Sequence, residues 1–432
     1  MRSRRILMVT YGFPPRGGGG VQRNCKLIKY FNRLNCEIDV LTVKDTFFHT
    51  RDQTLYEEVS KYCTIHKTES FDPLRFYKTL SIKNYTKSHK YTKINETGKI
   101  AKIYRVIRNW FMIPDAYIGW YYHAIKYYKN NLRNVKYDIV FASFPPATNV
   151  IIAELISRVQ KVPLHIDMRD PWSDDSNLIP VSKLHKLYSQ YIEQKYLKKS
   201  AIITTFNEKH KNVLKKRLSL NNVYTVTNGY DHEDLNLSKK FGSRFREDKG
   251  KICIVYNGSI SVDRQKTFEC FLKSLQYLNE EYFHKIKIHI VGNIQDWLEL
   301  HVKKHNLANI VKLHGYKSHL ESIEFLKQAH FALMCLHADD QISYTGKIFE
   351  YIGLNKKILA CVNENGECAK LLSSIGFSQG VLGANSPEMI GKKLNIALQT
   401  FEEQFSYSKK TLKMYSREEQ AKTILELYDK CL

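Results

Sequence analysis

The hydrophobic positions of the chain fall into short apolar runs, and these runs alternate with segments in which apolar residues recur at helical spacing. This alternation predicts strands and helices that follow one another in parallel α/β sheets. The first half offers six candidate strands and the second half five: RILMVTY, EIDVLTV, YDIVFAS, PLHIDMR, AIITTF and NVYTVTN, then KICIVYNG, IKIHIVG, IVKLHG, FALMCL and KILACV.

A break separates the two groups of strands. At about residues 231–251 the sequence DHEDLNLSKKFGSRFREDKGK is polar, charged and without a period. We therefore expect two Rossmann-like domains, residues 1–235 and 236–411. The remaining segment, 412–432, contains REEQAKTILELYDKCL, whose spacing suits an amphipathic helix on either domain, and we expect it to pack on the first.

Composition narrows the classes of function. With 432 residues, 43% of them hydrophobic, the chain can form two full cores and contains no low-complexity tail. Its formal net charge of +24 predicts an acidic partner, which could be nucleic acid, an anionic membrane surface or a phosphorylated substrate. No apolar run of the sequence is long enough to span a bilayer.

The N-terminal sequence and the cysteines bear on location. MRSRRILMVTYGFPPRGGGG begins with basic residues, as a signal peptide does, but its apolar run leads into prolines and glycines and indicates a first strand. The nine cysteines are scattered without C-x-x-C pairs. This pattern predicts reduced core thiols in a cytoplasmic protein and gives no metal signature.

A basic insertion lies at about residues 78–108, with the sequence KTLSIKNYTKSHKYTKINETGKIAKIYRVIR. It is rich in Lys, Arg and Tyr and contains one acid, Glu96. Its second part continues into IAKIYRVIRNWFMIP, which predicts a basic amphipathic helix of the kind that lies on anionic membranes. A solvated loop and helix on a basic protein is the alternative.

The first strand is followed by a glycine loop. In YGFPPRGGGGVQRNCKLIKYF, Gly17 to Gly20 allow the backbone to approach a ligand and point N–H groups at an anion. The spacing differs from the G-x-G-x-x-G fingerprint. A dinucleotide site, with Asp45 at the end of the second strand, is the less favoured alternative.

Charged residues end another strand of the first half. HIDMRDPWSDD places Asp167, Arg169 and Asp170 at the carboxyl end of a strand, which in an α/β sheet faces the ligand crevice. The alternative is an Asp–Arg ion pair that fixes a loop. The acid pairs in SDD and HADD are only weakly similar to a metal-binding D-x-D.

The second half contains three turns suited to anions. YNGSISVDRQK carries Gly258, Ser259, Arg264 and Lys266 after a strand, and VKLHGYK ends another strand with Gly315 and Tyr316. TGKIFEYIGLNKKILA places Thr345, Gly346, Lys347, Ile348 and Glu350 at the start of an apolar helix, where unpaired N–H groups and the helix dipole favour a phosphate. Read alone, this turn is better explained as an ordinary capped helix with a lysine in its first turn.

Together these motifs resemble the retaining glycosyltransferases of family 4, which have the GT-B fold of two facing Rossmann-like domains. The resemblance covers nearly the whole chain. It rests on GFPPRGGGG, DMRDPWS, TNGYD, YNGSIS and GKIFEYIGLNKKILA.

The resemblance implies that a nucleotide-diphosphate sugar binds mainly to the second domain and the acceptor mainly to the first, with the chemistry in the cleft between them. Neither a cofactor nor a metal is expected, because cationic side chains and a helix N-terminus would neutralise the diphosphate. The expected catalytic residues are Asp170, Arg264 and Lys347. The expected donor-binding residues are Gly258, Ser259, Arg264, Lys266, Gly315, Tyr316, Thr345, Gly346, Lys347, Ile348 and Glu350, the last on the ribose. The expected acceptor or cleft residues are Gly18, Gly19, Gly20, Asp167 and Arg169.

The chain departs from the family pattern on the donor side. Many relatives carry two glutamates about two helical turns apart; the second matches Glu350, but the first falls on Ile342, so that residue cannot recognise the sugar. Relatives with this Gly-Lys version of the motif often lack the first glutamate, so activity is not excluded. The usual Arg after the glycine is Ser259 here, so Arg264 or Lys266, with Lys347, must supply the diphosphate charge.

A second departure lies in the first domain. Where many relatives have a His-Asp pair, this chain has Arg169 and Asp170, and His165 lies too early in the strand to replace the histidine. The catalytic histidine of the family is therefore not carried over.

Three functions remain open. The favoured one is transfer of a sugar to a glycan or lipid-linked acceptor in cell-surface polysaccharide synthesis, by a peripheral protein on the inner face of the cytoplasmic membrane. A sugar-nucleotide 2-epimerase of the same fold would need several acids and histidines near the sugar, and only Asp167, Asp170 and His165 are candidates. A basic nucleic-acid-binding protein would account for the charge but not for the strand-end turns, and we expect no nucleic acid partner.

Overall fold

The chain forms two compact units in a computed structural model: Met1–Thr227 together with Ala421–Leu432, and Asn228–Gln420. The structure describes residues 3–44, 51–71, 110, 113–173, 182–237, 248–342 and 344–431. The predicted basic insertion at about 78–108 lies outside the described residues, as does the part 238–247 of the polar segment between the two groups of strands. None of the helices in the described ranges is both long enough and apolar enough to cross a membrane.

The first unit is built on a seven-stranded parallel sheet of order β3-β2-β1-β4-β5-β6-β7. Its strands are β1 (Arg4–Val9), β2 (Cys36–Val43), β3 (Thr64–Thr68), β4 (Ile139–Phe144), β5 (Leu164–Met168), β6 (Ile202–Thr205) and β7 (Val223–Thr225). The described helices are α1 (Gly19–Arg33), α2 (Gln53–Val59), α3 (Trp120–Tyr127), α4 (Ala147–Gln160), α5 (Lys183–Leu197) and α6 (Glu208–Leu218).

The second unit has a five-stranded parallel sheet of order β10-β9-β8-β11-β12. Its strands are β8 (Ile252–Asn257), β9 (Ile286–Val291), β10 (Val311–Leu313), β11 (Phe331–Cys335) and β12 (Lys357–Cys361). Its described helices are α7 (His232–Leu237), α8 (Gln265–Ser274), α9 (Glu280–Lys285), α10 (Asp296–Lys304), α11 (His319–Gln328), α12 (Lys347–Gly353), α13 (Glu367–Ser374), α14 (Pro387–Gln399) and α15 (Lys409–Met414).

The last helix, α16 (Arg417–Cys431), begins in the second unit and continues into the first. From Ala421 onwards its apolar side chains belong to the core of the first unit. Ile424, Leu425 and Tyr428 are fully buried there in one cluster with residues of β1, α1 and β2. The amphipathic spacing of this segment is therefore explained by burial on the first sheet.

Each sheet has one place where the strand order reverses direction. It lies between β1 and β4 in the first unit and between β8 and β11 in the second. In doubly wound sheets, ligands bind outside the carboxyl ends of the strands at such points. The loops that follow these four strands are consequently the first places to look for a site.

All eleven predicted strands are present. Within the described ranges one strand was missed: β3 pairs with β2 at the edge of the first sheet, and most of its residues are at least partly exposed. Its sequence TIHKT has no apolar run, because an edge strand buries little of its surface and needs few apolar residues.

Candidate functional site

Three glycines form a platform at the carboxyl ends of neighbouring strands in the second unit. Gly258 follows β8, Gly292 follows β9 and Gly315 lies just beyond β10. The Gly258 N–H donates to the Val291 carbonyl oxygen at 2.7 Å, and the Gly292 N–H donates to the Gly315 carbonyl oxygen at 2.9 Å. A Cβ atom on Gly292 would lie 2.3 Å from the Gly258 carbonyl oxygen. Only glycine allows these backbones to pack so closely.

The amine of Lys347 lies directly on this platform. A Cβ atom on Gly258 would be only 1.7 Å from Lys347 Nζ, so the lysine occupies the space that a side chain at 258 would need. Gly258 also has a φ of +121°, which disfavours any other residue. Lys347 Nζ stands 5.2 Å from the centre of the Tyr256 ring. The structure thus brings the predicted residues Gly258 and Lys347 together at the reversal point of the second sheet.

Arg264 supplies a second positive charge near Lys347. It lies in the turn after Gly258, and its charge acts on the buried Tyr256, whose hydroxyl donates to the Ser259 carbonyl oxygen at 3.3 Å. Burial and then the charge of Arg264 lower the pKa of Lys347 to about 8, against the opposing charge of Glu350. The two causes of this pKa shift are the free-energy cost of removing a cation from water and the repulsion from a second cation nearby. An anion bound between them would relieve that cost.

Glu350 lies one helical turn beyond Lys347 and faces a histidine. His319 Nε2 is 4.0 Å from Glu350 Oε1 and 3.7 Å from Asp234 Oδ2. The side chains of His319 and Glu350 are 27% and 19% exposed, so both remain within reach of a ligand. A carboxylate at this position is a hydrogen-bond acceptor suited to vicinal hydroxyl groups.

The remaining predicted donor residues contribute less. Thr345 and Gly346 form the turn before α12, and Ser259 and Tyr316 are exposed on their loops. The side chain of Ile348 is fully buried in the core, so only the backbone of this residue is left for its predicted donor contact. Because α12 has only seven residues, its N-terminus is a weak anion site by itself. The positive charges of Lys347 and Arg264 indicate the anion site more strongly.

Lys266 belongs to a different cavity. It lines a space of about 270 Å³ with Thr267, Cys270, His337, Ala338, Asp339, Ala384 and Asn385. Neither Lys347 nor Arg264 is among the described residues that line this cavity. Of the two cations proposed to replace the missing arginine, the structure therefore favours Arg264.

In the first unit, the glycine loop meets Arg169. Gly18 has a φ of +122° and precedes α1, and a Cβ atom on Gly20 would lie 1.6 Å from Arg169 Nη1. The Arg169 Nη2 group donates to the Pro145 carbonyl oxygen at 2.5 Å. Burial lowers the pKa of Arg169, and the charges of Asp170 and Asp167 oppose that shift. The structure thus brings the glycine loop after β1, with Gly18, Gly19 and Gly20, together with Arg169 after β5. Gly18 and Gly19 are exposed.

Asp167 is not available to a ligand. It is fully buried, and both of its oxygens accept hydrogen bonds from Arg23, at 2.8 Å each. Arg23 also donates to the carbonyl oxygens of Thr227, at 2.7 Å, and Val226, at 3.0 Å. The pKa of Asp167 falls to about 2 because the attraction of Arg23 and its hydrogen bonds outweigh burial. The expected cleft role of Asp167 is corrected: it forms a structural ion pair, though with Arg23 rather than the neighbouring Arg169.

His165 extends this buried network. The Thr204 hydroxyl donates to Asp167 Oδ1 at 2.6 Å, so His165 Nε2 donates to Thr204 Oγ1 at 2.9 Å and Nδ1 accepts from the Tyr428 hydroxyl at 2.7 Å. This pattern requires a neutral ring, and burial accordingly lowers the pKa of His165 to about 4. His165 therefore holds α16 to the sheet. The neighbouring acid Asp170 is exposed on the loop after β5.

The motif TNGYD also has a packing role. A Cβ atom on Gly229 would lie 2.6 Å from the Tyr415 carbonyl oxygen, and Tyr230 is buried against Gly353. The hydroxyl of Tyr230 donates to the Leu412 carbonyl oxygen at 3.0 Å. The motif therefore closes the core of the second unit next to α12.

Sequence reasoning missed three residues of these sites. Gly292 follows a predicted strand, as Gly258 and Gly315 do, and this shared position was the available signal. His319 and Arg23 offered none, since each lies in an ordinary helical segment and meets its partner only in the folded chain. For Arg23 that partner, Asp167, is 144 residues away in sequence.

Solved structures of other proteins share the fold of this chain. No family model and no curated protein matches the chain. Among solved structures, a sucrose-phosphate synthase from Thermosynechococcus elongatus is similar, with 10% identity, a TM-score of 0.62, and 99% of this chain and 98% of that chain covered. A HepE protein of Anabaena in complex with UDP and glucose has 11% identity, a TM-score of 0.55 and coverage of 99% and 98%.

A UDP-GlcNAc 2-epimerase from Methanocaldococcus jannaschii is similar over the same extent, with 13% identity, a TM-score of 0.53, and 99% of this chain and 100% of that chain covered. At such low identities the likeness concerns the fold alone. It confirms the predicted α/β fold class with two Rossmann-like, parallel-sheet domains, as in GT-B enzymes.

Proposed function

We propose that the chain is a glycosyltransferase that uses a nucleotide-diphosphate sugar. The observation that carries this proposal is the position of Lys347, whose amine lies on Gly258 at the reversal point of the second sheet with Arg264 nearby. A desolvated lysine and a nearby arginine over a bare backbone platform suit a diphosphate, which carries concentrated negative charge and needs close approach.

The similar structures support a nucleotide-sugar substrate. One is a sucrose-phosphate synthase, another is HepE with UDP and glucose, and both match this chain from end to end. Glu350, one turn beyond Lys347, is then the acceptor for the ribose hydroxyls. The positive charges of Lys347 and Arg264 take the place of a metal ion, so the proposed reaction is metal-independent.

The chemistry follows from these charges. The bond between the sugar C1 and the diphosphate oxygen breaks, and its electron pair stays on the diphosphate, where Lys347 and Arg264 stabilise it. The acceptor oxygen forms the new bond to C1, and its proton passes to an oxygen of the leaving phosphate on the same face. In this scheme, which has the retaining stereochemistry of the family 4 enzymes, no protein side chain has to act as the base.

Gly18, Gly19, Gly20, Arg169 and Asp170 are proposed to serve the acceptor side in the first unit. Asp170 is the exposed acid among them and interacts with Arg169 electrostatically. A hexose is the proposed transferred group, and the proposed acceptor is an oligosaccharide or a lipid-linked glycan of a cell-surface polysaccharide. For a lipid-linked acceptor, the chain works as a peripheral protein on the inner face of the cytoplasmic membrane, to which its net charge of +24 attracts it.

The alternative is a sugar-nucleotide 2-epimerase, because the similar structures include one. Epimerisation requires groups that remove and return a proton at the sugar. Of the three candidates, His165 and Asp167 are fully buried and already paired, which leaves Asp170. The pairing of two of these three residues favours transfer over epimerisation.

The test is incubation of the purified protein with a panel of UDP-, GDP-, ADP- and dTDP-sugars, with and without a membrane lipid extract as acceptor source. Transfer predicts nucleoside diphosphate release that increases with acceptor and a sugar-labelled lipid product. An epimerase would instead interconvert the sugar nucleotides without an acceptor. If no nucleotide sugar binds or reacts, the proposal is wrong.

A further inference from the structure

The helix α5 of the first unit presents an apolar stripe to solvent. Leu184, Leu187, Tyr188 and Tyr191 are 74%, 61%, 47% and 56% exposed. Their spacing of i, i+3, i+4 and i+7 places all four on one helix face. Single exposed apolar residues are common, but four on one face of one helix indicate an interaction surface.

Positive charge surrounds this stripe. Lys183, Lys186 and Lys195 lie on α5 and are exposed, and Lys195 Nζ stands 5.8 Å from the centre of the Tyr191 ring. The exposed Lys198 and Lys199 follow the helix directly, and Lys199 Nζ pairs with Glu154 Oε1 at 2.7 Å, so Lys198 is the additional lysine that can reach headgroups.

The helix offers no exposed negative charge to balance its lysines. Its only acid, Glu193, is fully buried, where it accepts hydrogen bonds from Arg217 at 2.7 Å and from the hydroxyl of Ser173. The exposed face of α5 thus combines an apolar stripe with charged residues that are all lysines.

An aromatic residue outside α5 adjoins the same helix. The ring of Trp110 packs edge-on against His185 with ring centres 4.9 Å apart, and Trp110 is 47% exposed. Tryptophan and tyrosine are the side chains that favour the boundary between lipid headgroups and acyl chains.

We propose that this surface of α5, comprising Leu184, Leu187, Tyr188 and Tyr191 with the flanking lysines, docks on an anionic lipid bilayer. The apolar stripe enters the headgroup region and the lysines contact acidic headgroups, which is how an amphipathic helix lies in a membrane interface. A second copy of the chain fits less well, because its lysines would face the same lysines. Nucleic acid could pair with the lysines, but the leucines would stay exposed to water.

This inference rests on the membrane-bound acceptor of the proposed function and names the part of the molecule that meets the membrane. The test is co-sedimentation of the full chain with vesicles of phosphatidylglycerol and phosphatidylcholine, and with vesicles of phosphatidylcholine alone. The wild type is expected to bind the anionic vesicles, less strongly at high salt. Changing both Leu184→Glu and Leu187→Glu should weaken that binding by about tenfold or more.

A matched control uses exposed apolar residues of the second unit. Leu300→Glu with Ile396→Glu changes side chains that are 67% and 59% exposed, alters the net charge equally and should leave vesicle binding as in the wild type. The thermal unfolding midpoint should be unchanged in both double variants. Calorimetric UDP binding should also be unchanged in both, so loss of the docking surface and failure of the nucleotide proposal give different results.

Three outcomes would overturn the proposal. The first is equal vesicle binding by the wild type and the α5 variant. The second is a wild-type dimer in analytical ultracentrifugation that the α5 variant loses, without vesicle binding by either protein. The third is binding to RNA or DNA but not to anionic vesicles.

Discussion

Each unit places a cation against a glycine beyond the end of a strand, but the charges that surround the two cations differ. In the first unit, Arg169 lies against Gly20 and is near Asp170, while the neighbouring Arg23 neutralises Asp167 completely. In the second unit, Lys347 lies against Gly258, and the charge that acts on it most strongly is another cation, Arg264.

The difference separates a structural charge from a functional one. The pKa of Asp167 is lowered to about 2 because its buried charge has a partner, whereas the pKa of Lys347 is lowered to about 8 because its charge lacks adequate compensation. A paired buried charge needs nothing further, while a desolvated cation beside a cation gains from an incoming anion. This contrast explains why we place the diphosphate in the second unit.

The largest effect should come from breaking the paired charge. Arg23→Met leaves Asp167 buried without a counter-charge, and we expect the free energy of unfolding to fall by about 3–5 kcal/mol. Denaturant unfolding followed by circular dichroism measures this change. Arg23→Met combined with Asp167→Asn should recover part of the loss, because no ionised group is then left unpaired. A loss below about 1 kcal/mol for the single variant would show that the pair is not structural.

Removing either of the two cations at the glycine platform should instead affect turnover. Lys347→Ala and Arg264→Ala should each lower sugar transfer about a hundredfold, which is typical for removal of one group that stabilises a leaving-group charge. The free energy of unfolding should stay near that of the wild type, because Lys347 is a desolvated charge and the Arg264–Asp263 ion pair is partly exposed and contributes little.

A matched control for these variants is Lys356→Ala. The pKa of Lys356 is also lowered to about 8 by burial, but its amine donates to the Ala329 carbonyl oxygen at 2.8 Å, away from the glycine platform. Lys356→Ala should lower stability and leave the turnover of the folded protein unchanged. Equal turnover in Lys347→Ala and the wild type would show that the diphosphate site is misplaced.

The lowered pKa of Lys347 predicts a pH-dependent affinity for UDP. A bound diphosphate favours the protonated amine and therefore raises the pKa of Lys347 in the complex. Above about pH 7, where the terminal phosphate of UDP is ionised, affinity should be constant up to about pH 8. It should then fall as the pH rises further, by up to about tenfold per pH unit. Isothermal titration calorimetry between pH 6.5 and about 9.5 measures this profile. Lys347→Arg should flatten it and Lys356→Arg should not; identical profiles in all three proteins would contradict the assignment.

The smallest effect is expected at the ribose. Glu350→Gln should weaken nucleoside diphosphate binding several-fold, because a neutral amide oxygen accepts hydrogen bonds less strongly than a carboxylate. Glutamine forms helices about as well as glutamate does, so α12 should remain intact. Calorimetry with UDP and with the ribose-free inorganic diphosphate separates the roles. A loss seen equally with both ligands would count against a ribose contact.

Much of the fold could be predicted because each strand carries its own signal. Runs such as ILMV in β1 and ICIV in β8 are apolar along their length, since strands of a parallel sheet are buried on both faces. Local turn chemistry likewise indicated Gly258, Gly315 and Lys347 as candidate site residues. The edge strand Thr64–Thr68 was missed for the converse reason, as its partial exposure leaves no apolar run.

The candidate site could be predicted only in part. The sequence showed that Lys347 and Gly258 each follow a strand, but not that the amine of one fills the space above the other. It also paired Asp167 with the wrong arginine in the structural alternative, since Arg169 is two residues away and Arg23 is 144 residues away. Proximity along the chain is a poor guide when parallel strands bring distant loops to one edge.

The sequence by itself therefore determined the two parallel-sheet domains and the loops that could hold an anion, because apolar periodicity and glycine-rich turns are local properties of a chain. Only the tertiary structure decided which charges are neutralised and which remain to bind a ligand. That outcome depends on burial and on partners brought together from distant segments, and the free energy of a charge is set by those surroundings rather than by its neighbours in sequence.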